Sequence, residues 1–215
     1  MICNILITVL ISFFGCKTDI NSIYQIPKDT IKSGSVPLIH DSIKESFLQE
    51  DILGNEYLIT RLKPIRNNFK RINTINKWSS VISKNLLESI EGGEAKFYYS
   101  GGELEKIITR HFGETFQFLT EYYLLNGKLS FVFEKEYKYN RPFYFDSLAV
   151  KDSDDKEIYD FKKSEVIETR GYFENEKLIH QINNQDCGSP FTEDYLKEEQ
   201  NRITESYQGL RKLER

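Results

Sequence analysis

The feature that most restricts the fold is a change of hydrophobic period at Glu94. From there on, apolar residues recur at every second position. Ala95, Phe97 and Tyr99 do so, as do Leu129, Phe131 and Phe133 set against Ser130, Val132 and Glu134. A strand points successive side chains to opposite faces, so this period predicts strands rather than a helix. Turn signals separate the runs: Ser100-Gly101-Gly102, Phe112-Gly113-Glu114 and Asn126-Gly127. Asn-Gly accepts the positive φ angles of a two-residue hairpin loop. The pattern predicts an antiparallel β-meander of about six to eight strands over residues 94–185.

Helical spacing precedes and follows the meander. Leu58, Leu62, Ile65, Phe69 and Ile72 lie on one helical stripe, with Arg61, Lys63, Arg66, Lys70 and Arg71 around the rest. That basic cluster reads as a solvated face or as a contact for lipid headgroups or an acidic partner. Pro64 lies inside the stripe, where it either kinks the helix or opens a second one. A further helix is expected from Lys77 to Glu91, with Asn76 as its N-cap, apolar positions at Trp78, Val81, Ile82, Leu86 and Ile90, and a stop at Gly92-Gly93. The last helix is expected over 190–213, capped by Ser189 with Pro190 in its first turn. Its stripe of Leu196, Ile203, Tyr207 and Leu210 suits packing on the sheet. The fold class is therefore α+β: a helical region over 41–92, the meander, and a C-terminal helix, in a single domain spanning 41–215. Hydrophobic residues make up only 39% of the chain, but 13 Tyr and 15 Phe supply large buried areas for a core.

The start of the chain has a different character. Met1 to Gly15 contains no charged side chain, and the apolar run Ile5–Phe14 is too short to span a bilayer. Polarity returns at Cys16-Lys17-Thr18-Asp19. The end of the run, Phe13-Phe14-Gly15-Cys16, resembles a bacterial lipoprotein signal, with a small residue before the cut and a cysteine after it. Phe13 stands where such signals usually carry Leu, and no Lys or Arg precedes the run. The resemblance implies a signal peptide over 1–15, palmitate-type acylation of Cys16, and attachment to a membrane of the cell envelope. Several acyl chains anchor stably, each buried methylene contributing about 0.8 kcal/mol. Residues 16–40, with Pro27, Pro37 and Ser33-Gly34-Ser35, read as a flexible tether.

An internal repeat runs through the meander. Tyr98-Tyr99-Ser100-Gly101-Gly102-Glu103-Leu104 is echoed by Tyr122-Tyr123-Leu124-Leu125-Asn126-Gly127-Lys128-Leu129 and by Tyr172-Phe173-Glu174-Asn175-Glu176-Lys177-Leu178. Each reads as an aromatic pair, a short turn, and a Leu opening the return strand. The unit resembles the MORN-like repeats of bacterial antitoxin-type proteins. Arg61-Leu62-Lys63-Pro64-Ile65-Arg66, Glu91-Gly92-Gly93-Glu94-Ala95 and Asp186-Cys187-Gly188-Ser189-Pro190-Phe191 resemble small lipoproteins of Bacteroidetes-type bacteria, a likeness that implies a compartment and no chemistry.

Motifs for catalysis or cofactor binding are missing from the sequence. His40, His111 and His180 have no ligand spacing, and no GxSxG elbow, GxGxxG or P-loop occurs. The acidic run Asp152, Asp154, Asp155 and Glu157 lacks a turn glycine and places Lys156 where a calcium ligand would stand. Cys187 beside Asp186 reads as a structural thiol, since a neighbouring negative charge disfavours thiolate. The expectation is no cofactor and no metal. A net charge of −4, with both signs interspersed, provides no basic footprint for nucleic acid.

The paired rings Tyr98-Tyr99 and Tyr122-Tyr123 are the remaining candidates. Adjacent strand residues face opposite ways, so one ring of each pair must leave a one-sided core. It then forms a binding surface, or a second layer covers it. The sequence singles out no activity and no oligomeric state. The favoured expectation is a non-catalytic, membrane-anchored envelope lipoprotein that binds a protein or another envelope component. An envelope hydrolase whose triad assembles across the fold, and an immunity or antitoxin-like inhibitor, are the alternatives.

Overall fold

A computed structural model describes residues 56–86, 91–149, 151, 156–185 and 191–214. The signal segment, Cys16, the tether, His40, Asp152, Asp154, Asp155 and Cys187 lie outside the described residues. Helix α1 (Glu56–Asn73) comes first. Strands β1 (Ser80–Leu86), β2 (Gly93–Ser100), β3 (Glu103–Phe112), β4 (Phe116–Leu125), β5 (Lys128–Lys138), β6 (Glu165–Glu174) and β7 (Lys177–Asn183) follow, then helix α2 (Glu193–Glu214). Each strand pairs antiparallel with the next, so the sheet order is the chain order. The expected α+β fold with a β-meander is the fold observed.

The expected stripe on α1 is its buried face: Leu62, Ile65, Phe69 and Ile72 are buried. The helix runs through Pro64, which is exposed, as one element. The basic residues around the stripe divide. Arg61 pairs with Glu174 at 2.6 Å and Arg71 with Glu105 at 2.6 Å, while Lys63 and Lys70 are exposed.

The helix expected from Lys77 to Glu91 is not formed; strand β1 occupies its centre. Val81 and Ile82 are β-branched and fit a pleated strand, and Ser80 and Ser83 are weak helix formers. Pairing with β2 supplies the backbone partners that a helix would have made internally. The helical spacing of the apolar residues was real but was overruled by a long-range ladder. The final helix begins at Glu193 rather than 190, and its cap is Thr192, whose hydroxyl accepts from the Tyr195 N–H at 3.3 Å. Ser189 and Pro190 lie outside the described residues.

The three repeat units are three hairpins of one geometry. Their loops are Gly101-Gly102, Asn126-Gly127 and Asn175-Glu176, all at positive φ between 52° and 87°, as a type I′ turn requires. Behind each loop the return strand carries a one-residue bulge, leaving Glu105, Ser130 and Ile179 without a register partner. The structural equivalents are Tyr98, Tyr123 and Tyr172, each six residues before Leu104, Leu129 and Leu178. The second unit thus starts at Tyr123, one residue later than Tyr122, and the loops are equal in length.

The bulges also correct the expected strand faces. Leu129 does not share a face with Phe131 and Phe133, because Ser130 adds one residue between them. Leu129 joins a cluster with Ile203 and Leu210 of α2, whereas Phe131 and Phe133 join Leu62, Ile65, Phe69 and Ile72 of α1. Neighbours Tyr122 and Tyr123 divide in the same way. The helices therefore lie on opposite faces of one sheet. Helix α1 crosses the hairpin ends, from Glu174 on β6 through the Leu124 carbonyl, which Asn68 reaches at 2.7 Å, to Glu105 on β3. Helix α2 runs diagonally, from Gln181 on β7 past Glu134 on β5 and Tyr122 on β4 to Tyr99 on β2.

Candidate functional site

The four candidate tyrosines do not form an open patch. Tyr122 is 3% and Tyr123 1% exposed. The rings of each pair face opposite sides of the sheet, as expected, and the helices cover Tyr122 and Tyr123 fully while Tyr98 and Tyr99 stay partly exposed. Tyr123 lies under Phe69 of α1, with ring centres 4.9 Å apart. Tyr122 lies under α2, its hydroxyl 3.1 Å from Ser206. Tyr98 is half-buried against Trp78 on the α1 side, with its ring 5.2 Å away. Tyr99 packs against the α2 cluster and donates its hydroxyl to Glu214.

The diagonal path of α2 leaves part of its own face of the sheet uncovered. There, a cleft of about 420 Å³ is lined by Asn85 and Leu86 of β1, Thr109 and His111 of β3, and Glu205, Ser206, Gly209, Leu210 and Leu213 of α2. The volume falls in the range of small-ligand sites. Leu86 from the sheet and Leu210 and Leu213 from α2 supply the apolar part of the lining, and Asn85, Thr109, His111, Glu205 and Ser206 the polar part. Gly209 contributes to the opening. A Cβ there would meet nothing within 4 Å, so packing does not require glycine at that position. Glycine inside a helix costs about 1 kcal/mol relative to alanine, and here its effect is to leave the cleft wider.

The chemistry of this cleft can be followed through Ser206. Its hydroxyl is paired with the Tyr122 phenol, which burial above all pushes up to about 12. That phenol keeps its proton at neutral pH and cannot act as a base toward serine. Glu205 and Ser206 are consecutive on a helix and point about 100° apart. His111 lines the same cleft, so a serine, a histidine and a carboxylate share one opening. His180 lies elsewhere, beside Tyr172 on the α1 face, with ring centres 5.7 Å apart.

The other residues considered from sequence are placed as follows. Glu157 accepts from Asn140 at 3.1 Å and from Lys163 at 3.3 Å, and these bonds hold its carboxyl below the usual range. Among the described residues, no group of three or more His, Cys, Asp or Glu side chains is placed to hold a metal ion. No described helix is long and apolar enough to cross a membrane. A second, smaller cleft of about 320 Å³ lies between α1 and the β4–β5 and β6–β7 loops, with Arg61, Lys128 and Glu174 in its lining.

Sequence reasoning missed the larger cleft as a unit. Its lining comes from three elements remote in the chain, and one of them was expected to be a helix. The signal available was Gly209, a glycine inside an otherwise regular amphipathic stretch. Comparison with protein-family models, curated proteins and solved structures returns no match.

Proposed function

We propose that this chain is an envelope lipoprotein, held to a membrane through acylated Cys16, that acts by binding a protein or another envelope component rather than by catalysis. The observation that carries the binding role is the cleft beside α2, whose lining combines leucines with hydrogen-bonding side chains from both the sheet and the helix. Such a site favours a partner that presents apolar and polar groups together. Of the surface first expected at Tyr98, Tyr99, Tyr122 and Tyr123, the helices cover Tyr122 and Tyr123 and leave Tyr98 and Tyr99 partly open, and this reading places the binding role in the cleft instead.

Two measurements test the two halves of this reading. Metabolic labelling with a fatty acid should mark the wild-type chain and not Cys16→Ser; equal label in both removes the anchor. Pull-down from solubilised envelopes should recover a partner with the wild-type chain and lose it with Gly209→Phe, whose ring fills the cleft. Equal recovery by a normally folded Gly209→Phe removes the cleft.

A hydrolase reading is favoured by one observation, the convergence of His111, Ser206 and Glu205 on the same opening. It requires Ser206 to exchange its bond to Tyr122 for one to a base. Labelling by a fluorophosphonate that disappears in Ser206→Ala would establish it, and no labelling of the wild type disposes of it. The immunity or antitoxin-like reading rests on the likeness of the three hairpins to MORN-like repeats, and a toxin-like neighbouring reading frame is its test.

A further inference from the structure

The three hairpins separate toward their tips, and α1 crosses the gaps between them. Pairing between β3 and β4 stops at Lys106↔Tyr123, and pairing between β5 and β6 stops at Phe131↔Tyr172, short of the loops. Past the first of these pairs, Asn68 of α1 reaches down to the Leu124 carbonyl at 2.7 Å, and Arg71 pairs with Glu105 of β3 at 2.6 Å. Past the second, the gap stays open as the cleft of about 320 Å³. One turn before Asn68, α1 presents Pro64 to it, whose ring carries no donor. Ile65, Leu125, Leu129 and Phe173 complete an apolar lining. The charges in the lining are unequal. Arg61 and Glu174 pair at 2.6 Å and cancel. Lys128 remains: it is exposed, and no described carboxylate pairs with it. Glu176 and Lys177, next in the β6–β7 loop, carry opposite charges and leave this balance unchanged.

We propose that this gap binds the C-terminal end of an extended peptide, with the terminal carboxylate on Lys128 and the last side chain, an apolar one, beneath Pro64. The unpaired charge of the lining is positive, so the complementary charge on the ligand is negative. The apolar lining lies directly beside Lys128, so the ligand must carry an apolar group next to its charge; a bare inorganic anion would leave Leu125, Leu129 and Phe173 uncovered. Residues 128–130 and 173–175 flank the gap with no register partner across it, and Asn126 and Asn175 add a side-chain amide from each loop. A peptide backbone can hydrogen-bond to both sides, which a fatty acyl chain cannot. Capture of a terminal carboxylate is a recurring mode of peptide recognition. The volume stands at the low end for ligand sites and suits a chain end rather than a helix. The site shares no residue with the cleft beside α2.

The test measures retention of short dye-labelled peptides on the immobilised full chain, using a mixture randomised among Val, Leu, Ile and Phe at its C-terminal positions. Peptides with a free carboxylate should be retained about fivefold better than the same mixture amidated, the factor expected for one contact to an exposed ammonium. Lys128→Ala should remove that preference and Lys128→Glu should invert it. Both should keep the wild-type circular dichroism melt, because the Lys128 side chain is exposed. Gly209→Phe, which fills the cleft beside α2, should retain the peptides as the wild type does. Retention of neither mixture, equal retention of the two, a preference that survives Lys128→Ala, or one that is lost in Gly209→Phe overturns the proposal.

Discussion

On the α1 face, adjacent strands bring Tyr123, Phe131 and Tyr172 side by side, and Phe69 lies across them with its ring 5.3 Å from that of Phe131. On the α2 face, the neighbouring row is Ile107, Tyr122, Val132 and Gly171, and the next contains Thr109, Thr120 and Glu134. One helix therefore rests on a continuous aromatic row, and the other crosses from an apolar row to a polar one. The difference decides what holds each helix. Helix α1 is held at its centre by ring packing and by buried Asn68, which reaches the Leu124 carbonyl, and at its two ends by the Arg61–Glu174 and Arg71–Glu105 pairs. Helix α2 is oriented by directional bonds, chiefly Arg202 to both carboxylate oxygens of Glu134 at 2.8 and 2.7 Å, and Ser206 to Tyr122. At Gly171 a Cβ would lie 3.3 Å from the side chains of Leu178 and Phe173, so the crowding there is within the sheet, while Ile203 of α2 is at an ordinary contact distance of 3.8 Å. Buried polar groups need partners on both faces: Glu121 finds Lys106 and the Tyr123 hydroxyl on the α1 face, and Glu134 finds Arg202 of the helix itself on the α2 face. The cleft lies beside α2 because that helix follows its partners diagonally and leaves the β1–β3 corner open.

The largest effect should come from removing a ring from the aromatic row. Phe131→Ala is expected to cost about 3–5 kcal/mol, and its strand neighbour Val132→Ala about 2 kcal/mol. Urea midpoints at constant slope measure both. Equal losses would erase the contrast between the faces. Asn68→Leu keeps the volume but leaves the buried Leu124 carbonyl without its side-chain donor, at about 1–3 kcal/mol. A loss below about 0.5 kcal/mol in the same measurement would mean that the Asn68 bond does not help to seat α1.

Tyr122 adds a pH dependence on the α2 face, alongside other phenols that burial above all raises, Tyr99 and Tyr139 to about 12 and Tyr98 on the α1 side. Burial above all raises its phenol to about 12, above the ordinary value of 10.0. The folded state thus keeps a proton that the unfolded state gives up first. Its contribution is complete below pH ~10 and is lost as the pH rises toward ~12. Tyr122→Phe should make that alkaline limb shallower, leaving the shares of Tyr99 and Tyr139, and cost about 0.5–1.5 kcal/mol at neutral pH through the missing Ser206 bond. Thermal melts between pH 8 and 12, with phenolate absorbance alongside, distinguish this from a uniform loss.

The smallest effect concerns the three hairpins. Glu176 sits at φ 65°, where the other two loops carry Gly102 and Gly127. A non-glycine side chain in that region costs about 1–2 kcal/mol, partly offset by the chain entropy that glycine adds. Glu176→Gly should therefore stabilise by up to about 1 kcal/mol, read as a raised melting temperature. A fall would show that the Glu176 side chain contributes more than its backbone strain removes.

Much of this fold was legible in the residues. The stripe Leu62, Ile65, Phe69 and Ile72 reads as a helix because only a 3.6-residue period aligns it. Asn126-Gly127 reads as a hairpin because few other residue pairs accept both φ angles. The spacing from Tyr to Leu in each repeat marked hairpins of one kind, although the second was set one residue early. The tyrosine pair there invited alignment at Tyr122, and only the position of the loop places the equivalence at Tyr123. The bulges were invisible for the same reason: Glu105, Ser130 and Ile179 share no chemistry, and what they share is a location behind a tight turn.

The local rules in the sequence determined α1, the meander, the hairpin loops and the amphipathic stripe of α2, because each depends on residues a few positions apart. Tertiary structure decided the rest. It made a strand of Ser80–Leu86, since a ladder with β2 outweighs a marginal helical preference. It placed Leu129 and Phe131 on opposite faces through a bulge. It covered Tyr122 and Tyr123 with two different helices. It also drew Thr109, His111 and Ser206 to one opening. Those outcomes depend on contacts between distant segments, whose energies exceed the local preferences that the sequence displays.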